Sequence, residues 1–144
     1  MKKKTAEIIC GSTENTIELG MKIGKVLGKG SVLSLEGPLG AGKTTLVKGI
    51  ARALNINDEI TSPTFTIISE YDGKYKLHHI DMYRIESDEE LEYLGLYEII
   101  YGDDISIIEW GEKIKEYLPD YTATITINLL ENGERKFIIK DLNI

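Results

Sequence analysis

The sequence has little cysteine, no long apolar run and fewer basic than acidic residues. Cys10 is the one cysteine among 144 residues, so the chain cannot form an internal disulfide. No apolar stretch approaches about 18 residues and no signal peptide follows Met1, which argues against a membrane-spanning helix and predicts a protein of the reducing cytoplasm. Since 17 Lys plus Arg oppose 24 Asp plus Glu, the net charge of -7 argues against unaided binding to DNA, RNA or a membrane surface.

Length and composition indicate one globular domain. A chain of 144 residues has the size at which a single domain buries roughly 70% of the surface of its unfolded chain. With 42% hydrophobic and 28% charged residues, the sequence is too apolar for a disordered chain. It contains no internal repeat and no proline- or serine-rich linker, so we expect residues 1–144 to form one continuous domain.

Hydrophobic periodicity predicts alternating strands and helices in the first half of the chain and antiparallel strands later. Asp72-Gly73 and Asn132-Gly133 are favoured hairpin turns, and residues 87–90 form a capping-box pattern that would open a short helix. This order predicts a three-layer α/β fold whose mixed, mostly parallel sheet carries a C-terminal antiparallel hairpin. The predicted strands are Thr5–Cys10 and residues 31–35, 65–71, 74–81, 105–108, 122–130 and 136–139; the predicted helices cover residues 17–27, 43–54, 87–94 and 112–118.

The strongest chemical signal is Gly37-x-x-x-x-Gly42-Lys43-Thr44, which lies between a predicted strand and a predicted helix. Glycines let the backbone turn so that several N–H groups point at one anion, and the N-terminus of the helix adds a favourable dipole. Lys43 would contact the β and γ phosphates, and the Thr44 hydroxyl would bind Mg²⁺. The pattern therefore predicts the phosphate loop of a P-loop NTPase fold, with a plain glycine-rich turn as the weaker alternative. Its candidate nucleotide-binding residues are Gly37, Gly40, Ala41, Gly42, Lys43, Thr44 and Thr45.

Two predicted strands end in a carboxylate. Glu109 follows the apolar run of residues 105–108, and Asp81 follows residues 77–80. In P-loop nucleotidases an acid at such a strand end holds Mg²⁺ or orients the attacking water. Each residue could instead be a solvated carboxylate, but beside a phosphate loop we expect both to be functional.

Other nucleotidase classes fit the sequence less well. The chain lacks the Asn/Thr-Lys-x-Asp segment that reads guanine in GTP switch proteins. A small kinase usually clamps its second substrate with several arginines, whereas this chain has only Arg52, Arg84 and Arg135. Transfer of a phosphoryl group to a small acceptor is therefore the weaker enzymatic alternative.

Four segments in one order resemble a known family. They are residues 37–45 (GPLGAGKTT), 61–65 (TSPTF), 79–84 (HIDMYR) and Glu109-Trp110. This combination resembles the TsaE (YjeE) family, the bacterial ATPase of tRNA threonylcarbamoyladenosine biosynthesis. The resemblance extends from about Gly11 to Leu118, and the second and third segments are its most specific parts.

The resemblance implies a Mg²⁺-dependent ATPase that binds ATP and supports the TsaD and TsaB transferase assembly on ANN-decoding tRNAs. It implies contact with tRNA only through that complex. Residues 61–65 would be the first switch segment, in which Thr64 could face the γ-phosphate; with Lys43, Asp81 and Glu109 it completes the candidate catalytic set. Thr44 and Glu109 would be the metal-binding residues. Two other functions stay open: a nucleotide-sensing assembly module in which hydrolysis is incidental, and a small P-loop kinase.

The resemblance also implies that the nucleotide pocket draws on the N-terminal segment and the late hairpin. Thr13 could contact the ribose or base, although a simple helix cap at Ser12 or Thr13 is the alternative. Arg135 could reach the nucleotide, or could be an exposed hairpin arginine. Two departures from the family pattern are Pro38, which provides no N–H for an anion, and Gly111, where the family often has proline after the tryptophan.

Three further features have competing interpretations. His78 and His79 should point to opposite faces of a strand, which argues against a shared metal site and makes His79 a neighbour of Asp81. Residues 86–104 contain eight acidic side chains and no Lys or Arg. That stretch is either a solvated face or a docking surface for a basic partner. Trp110 is expected to pack near the nucleotide or a partner.

Overall fold

Seven strands form one mixed sheet in the computed structural model, which describes residues 4–38, 40–63 and 67–144. The order across the sheet is β1-β7-β6-β2-β5-β4-β3, where the numbers follow the chain. The strands are β1 (Thr5–Cys10), β2 (Val32–Glu36), β3 (Ile68–Tyr71), β4 (Leu77–Asp81), β5 (Ile105–Glu109), β6 (Ala123–Leu129) and β7 (Arg135–Lys140).

The four central strands run parallel and the outer strands run antiparallel. β2 lies between β5 and β6, β4 pairs with the far side of β5, and all three of these pairings are parallel. β3 pairs antiparallel with β4, and β7 forms antiparallel pairs with both β6 and β1. The mixed sheet and the C-terminal hairpin are therefore confirmed, while the expected parallel majority holds for the centre of the sheet only.

Helices cover both faces of the sheet and give the expected three layers. The long helices α1 (Thr13–Val26) and α2 (Lys43–Ala53) pack together on one face, where buried Leu, Ile and Val side chains form the larger apolar cluster. The short helices α3 (Asp88–Tyr93) and α4 (Leu96–Ile100) and the 3-10 helix (Gly111–Tyr117) enclose a second cluster on the other face. Among residues 4–38, 40–63 and 67–144, no helix is long and apolar enough to cross a bilayer.

Glycines allow the backbones of α1 and α2 to touch. A Cβ atom on Gly49 would lie 2.2 Å from the carbonyl oxygen of Ile17, and one on Gly20 would lie 2.3 Å from that of Leu46. These distances leave no room for a methyl group, so the two helices approach as closely as their backbones permit. This contact fixes where the N-terminus of α2 lies relative to the sheet.

Several local predictions need correction. Ser87 makes no side-chain cap on α3; instead the backbone N–H of Glu86 donates to the Glu90 carboxylate at 3.3 Å, so the capping box does not form. A separate helix, α4, follows Gly95, which has φ 69 and ends the preceding turn. The helix predicted over residues 112–118 is a 3-10 helix that begins at Gly111.

Of the two cap positions that the sequence offered at the start of α1, Ser12 is the N-cap, because its Oγ accepts from the N–H of Asn15 at 3.1 Å.

Candidate active site

The carboxyl ends of β2, β5 and β4 meet at one edge of the sheet. The parallel register places Leu35 of β2 and Asp81 of β4 on either side of Glu109. Because β2 leads directly into the segment that opens α2, both predicted acids lie beside the phosphate loop. Ligands of parallel α/β sheets bind at this edge.

The phosphate loop ends in a left-handed turn that opens α2. Gly42 is the N-cap with φ 105, and Gly40 has φ 77, both in the region that favours glycine. The N–H of Ala41 donates to the carbonyl oxygen of Pro38 at 3.1 Å, so this amide braces the loop. The first amides of α2 have no carbonyl one turn earlier in the helix, which leaves them for an anion.

Lys43 is the first residue of α2, and its side chain is only 5% exposed. Its Nζ donates to the carbonyl oxygen of Gly37 at 2.8 Å and lies 3.7 Å from the centre of the Trp110 ring. Burial lowers the pKa of this ammonium, and the carboxylates of Glu109, Glu112 and Asp81 oppose that shift. No salt bridge forms at Lys43 within the part of the chain that the structure describes, so its charge is held by a carbonyl and an aromatic face.

Glu109 connects the phosphate loop to the sheet. Its Oε2 accepts from the Thr44 hydroxyl at 3.4 Å and lies 2.5 Å from Nε2 of His79. Both Glu109 and His79 are buried, at 4% and 0% exposure. The partner expected for His79 was Asp81, and the structure places Glu109 there instead.

Asp81 lies on the neighbouring strand and its carboxylate is tied to the following turn. Its Oδ1 accepts from the backbone N–H of Tyr83 at 2.8 Å, and its own N–H donates to the carbonyl oxygen of Ile67 at 2.8 Å, two residues beyond the predicted first switch segment. Thr64 and Phe65 lie outside the described residues, whereas Ser62 lies at the site.

A cavity of about 460 Å³ opens between these elements. This volume lies in the range of ordinary small-molecule sites. Most of the predicted site residues line this cavity. Tyr83 also lines it, although the sequence predicted no role for this residue. The lining residues are Gly40, Gly42, Lys43, Thr44, Thr45, Ser62, Asp81, Tyr83, Glu109, Trp110 and Arg135.

Trp110 closes the cavity beside Lys43. It adopts φ 61, a strained conformation for a bulky residue, and its ring packs at 5.0 Å on that of Tyr83. The next residue, Gly111, lies against β2, where an added Cβ would meet the Ser34 hydroxyl at 1.9 Å. Proline at 111 would carry such a Cβ, so Ser34 accounts for glycine at this position.

Arg135 reaches the phosphate loop from the last hairpin. Its Nη2 donates to the carbonyl oxygen of Gly40 at 3.3 Å, and its side chain lies 3.4 Å from the place where a Gly42 Cβ would stand. Arg135 is therefore half-buried at the cavity. Thr13 is exposed at the start of α1 and is not among the residues that line the cavity, so its nucleotide contact stays a prediction.

His78 faces away from this site, as the strand geometry predicts. Its Nε2 lies 2.9 Å from the Asp104 carboxylate, and its Nδ1 lies 3.5 Å from Glu70. Within the described residues, no cluster of three or more His, Cys, Asp or Glu could hold a metal ion.

A family model and several named relatives match this chain. The family model described as "Threonylcarbamoyl adenosine biosynthesis protein TsaE" matches residues 10–137. The chain belongs to the TsaE family. The protein named "tRNA threonylcarbamoyladenosine biosynthesis protein TsaE" in Treponema pallidum is 44% identical over 128 residues, which cover 89% of this chain and 95% of that protein. Its counterpart of the same name in Bacillus subtilis is 48% identical over 108 residues, covering 74% of this chain and 67% of that protein.

A solved structure extends the likeness to the fold. The crystal structure of YdiB from Bacillus subtilis superposes with a TM-score of 0.84 at 33% sequence identity. The alignment covers 99% of this chain and 89% of that one. This TsaE-family chain therefore shares its whole seven-stranded architecture with a solved relative.

Proposed function

We propose that this chain is a Mg²⁺-dependent ATPase that supports the TsaD and TsaB assembly in forming threonylcarbamoyladenosine in ANN-decoding tRNAs. The observation that carries the catalytic part is the convergence of Lys43, Thr44 and Glu109 at the N-terminus of α2, in a cavity of about 460 Å³. The family and the named relatives support the tRNA part.

The residues present fit a nucleotide phosphate chain. Free amides at the start of α2 and the ammonium of Lys43 supply positive potential within one cavity. Lys43 has no carboxylate partner within salt-bridge distance among the described residues, so a phosphate oxygen can replace its contacts with Gly37 and Trp110. Arg135 adds a second cation to the lining of the cavity, beside Gly40 and Gly42.

The residues also fit Mg²⁺. The Thr44 hydroxyl and the Glu109 carboxylate are hard oxygen ligands that lie 3.4 Å apart at the phosphate loop. Bound between them and a nucleotide, Mg²⁺ would neutralise charge on the phosphate oxygens. Asp81, held by the turn at Tyr83, faces the same cavity and would orient the attacking water.

The overall charge favours work through protein partners. A net charge of -7 opposes direct contact with the tRNA phosphate backbone. The acidic stretch of residues 86–104 follows the end of β4 at Asp81 and bears α3 and α4. We therefore propose that tRNA is reached through the TsaD and TsaB complex, and that ATP acts on that complex.

The test of the catalytic part compares Lys43→Ala and Glu109→Ala with Lys48→Ala. Lys43→Ala should abolish release of phosphate from ATP, since it removes positive charge at the transferred group, and Glu109→Ala should reduce it at least about 100-fold, since it removes a ligand of the Mg²⁺ that would neutralise that group. Lys48 is exposed on the same helix and away from this cavity, so Lys48→Ala should keep wild-type turnover. Turnover should be measured alone and with TsaD, TsaB and tRNA. Wild-type rates in Lys43→Ala or Glu109→Ala would refute the assignment.

A second measurement separates hydrolysis from nucleotide sensing. If hydrolysis drives the cycle, repeated tRNA modification by the complex should proceed with ATP and stop after about one round with a non-hydrolysable analogue. Equal modification with both nucleotides would replace the ATPase proposal with a binding module. Transfer of labelled phosphate to a small acceptor would instead indicate a kinase.

A further inference from the structure

Two neighbouring histidines on β4 point to opposite faces of the sheet. His79 is fully buried on the α2 side and lies 2.5 Å from Glu109, whereas His78 is 6% exposed on the other side and contacts Asp104. Glu109 is the diagonal neighbour of His79, because the parallel register pairs His79 with Ile107. His79 therefore reaches the proposed metal-binding carboxylate across the strand pair.

The surroundings of His79 define which nitrogen carries its hydrogen. Its Nδ1 is buried and finds no partner among the residues that the structure describes. A carboxylate oxygen accepts hydrogen bonds, so the contact of Nε2 with Glu109 needs a hydrogen on Nε2, whereas a hydrogen on Nδ1 would be an unsatisfied buried donor. Nε2 therefore carries a hydrogen, and His79 donates it to Glu109 Oε2.

The two carboxylate oxygens of Glu109 have different hydrogen-bond partners. Oε2 accepts both from His79 and from the Thr44 hydroxyl. Oε1 accepts from none of the side chains or amides in the described part of the chain. The carboxylate is thus fixed by one oxygen, and the other is left for a ligand.

We propose that His79 is a positioning residue, which holds Glu109 through Nε2–H so that Oε1 is presented to the divalent cation of a bound nucleotide. This inference rests on the proposed function. Residues that orient metal ligands in this way typically contribute about 10- to 100-fold in metal affinity or activity. His79→Leu should therefore raise the Mg²⁺ concentration needed for half-maximal effect by about that factor.

The experiment titrates Mg²⁺ while the full chain binds a non-hydrolysable ATP analogue, followed by calorimetry. His79→Leu should shift the Mg²⁺ midpoint upward by about 10-fold or more, while the affinity for the analogue without Mg²⁺ stays that of the wild type. His79→Gln keeps an N–H donor near the position of Nε2 and should stay within a few-fold of the wild type. His79→Asn is too short to reach Glu109 and should behave like His79→Leu.

His78→Leu is the matched control, because it removes a buried histidine from the same strand without touching the site. It should lower the unfolding midpoint but leave the Mg²⁺ midpoint unchanged. A wild-type Mg²⁺ midpoint in His79→Leu would overturn the inference, as would an equal shift in His78→Leu. If His79→Leu fails to fold, equal midpoints for His79→Asn and His79→Gln would overturn it. A wild-type chain that binds the analogue without any response to Mg²⁺ would instead overturn the proposed function and this inference with it.

Discussion

Gly49→Ala tests the packing that supports the phosphate loop. The new Cβ would lie 2.2 Å from the Ile17 carbonyl oxygen and 2.9 Å from the Cα of Gly20. An ordinary contact needs about 1 Å more than the shorter distance. Since both neighbours are backbone atoms, no side-chain rotation can relieve the clash, and α1 and α2 must move apart.

Two opposing effects set the change in the free energy of unfolding that Gly49→Ala causes. Alanine favours a helix by about 1 kcal/mol over glycine. Overpacking costs about 1–3 kcal/mol, and a clash with rigid backbone belongs at the upper end of that range. We therefore expect a net loss of about 1–2 kcal/mol in the free energy of unfolding, which lowers Tm by about 3–8 °C in a domain of this size.

The displacement should also reach the proposed nucleotide site, because Lys43 and Thr44 open the same helix. A misplacement of about 1 Å can cost about 100-fold in rate. Expressed as a free energy, the loss of ATP turnover should therefore exceed the loss in the free energy of unfolding. Urea unfolding and phosphate release measure the two effects. Lys48→Ala, exposed on α2, should change the free energy of unfolding by less than about 0.5 kcal/mol. A Gly49→Ala chain that is more stable than the wild type would refute the close approach of α1 and α2.

Two other predictions concern aromatic side chains. Trp110→Leu removes the ring that covers Lys43, and a double-mutant cycle with Lys43→Met should give a coupling of about 0.5–2 kcal/mol in the unfolding of the nucleotide-free chain; a coupling near zero would contradict the contact. The Asp88 carboxylate raises the pKa of Tyr117 from 10.0 to about 12. Because the folded state holds this proton more tightly, the stability that Tyr117 adds over Phe should be constant below pH 10 and should decline as pH rises toward 12. Unfolding midpoints of the wild type and Tyr117→Phe at pH 8 and pH 11 measure this, and an unchanged difference would contradict it.

Local signals made the phosphate loop and the strand ends predictable. The glycines and Lys43 act within one turn, so their spacing alone predicts the strand, loop and helix that the structure contains. Glu109 was predictable because it ends an apolar run on β5. The helix α4 was not, since its five residues follow Gly95 and are too few to show a helical period.

Contacts between segments that are distant along the chain could not be predicted from local sequence patterns. The pairing of His79 with Glu109 depends on the register of β4 against β5, and a one-residue slip would turn His79 to the other face. The position of Trp110 over Lys43 depends on a left-handed residue that no local pattern requires. The absence of the capping box at Ser87 likewise reflects the turn at Glu86, where the backbone competes for the Glu90 side chain.

The strand order has a consequence for how the polypeptide folds while it is being synthesised. β1 is made first but pairs only with β7, and β2 lies between β5 and β6, which are synthesised some 70 to 90 residues later. A nascent chain that has just exposed the phosphate loop therefore has no sheet to anchor it. Such long-range pairing makes folding slow and leaves strand edges open to aggregation in the meantime. The sheet edge beside the phosphate loop can thus form only when almost the whole domain has left the ribosome.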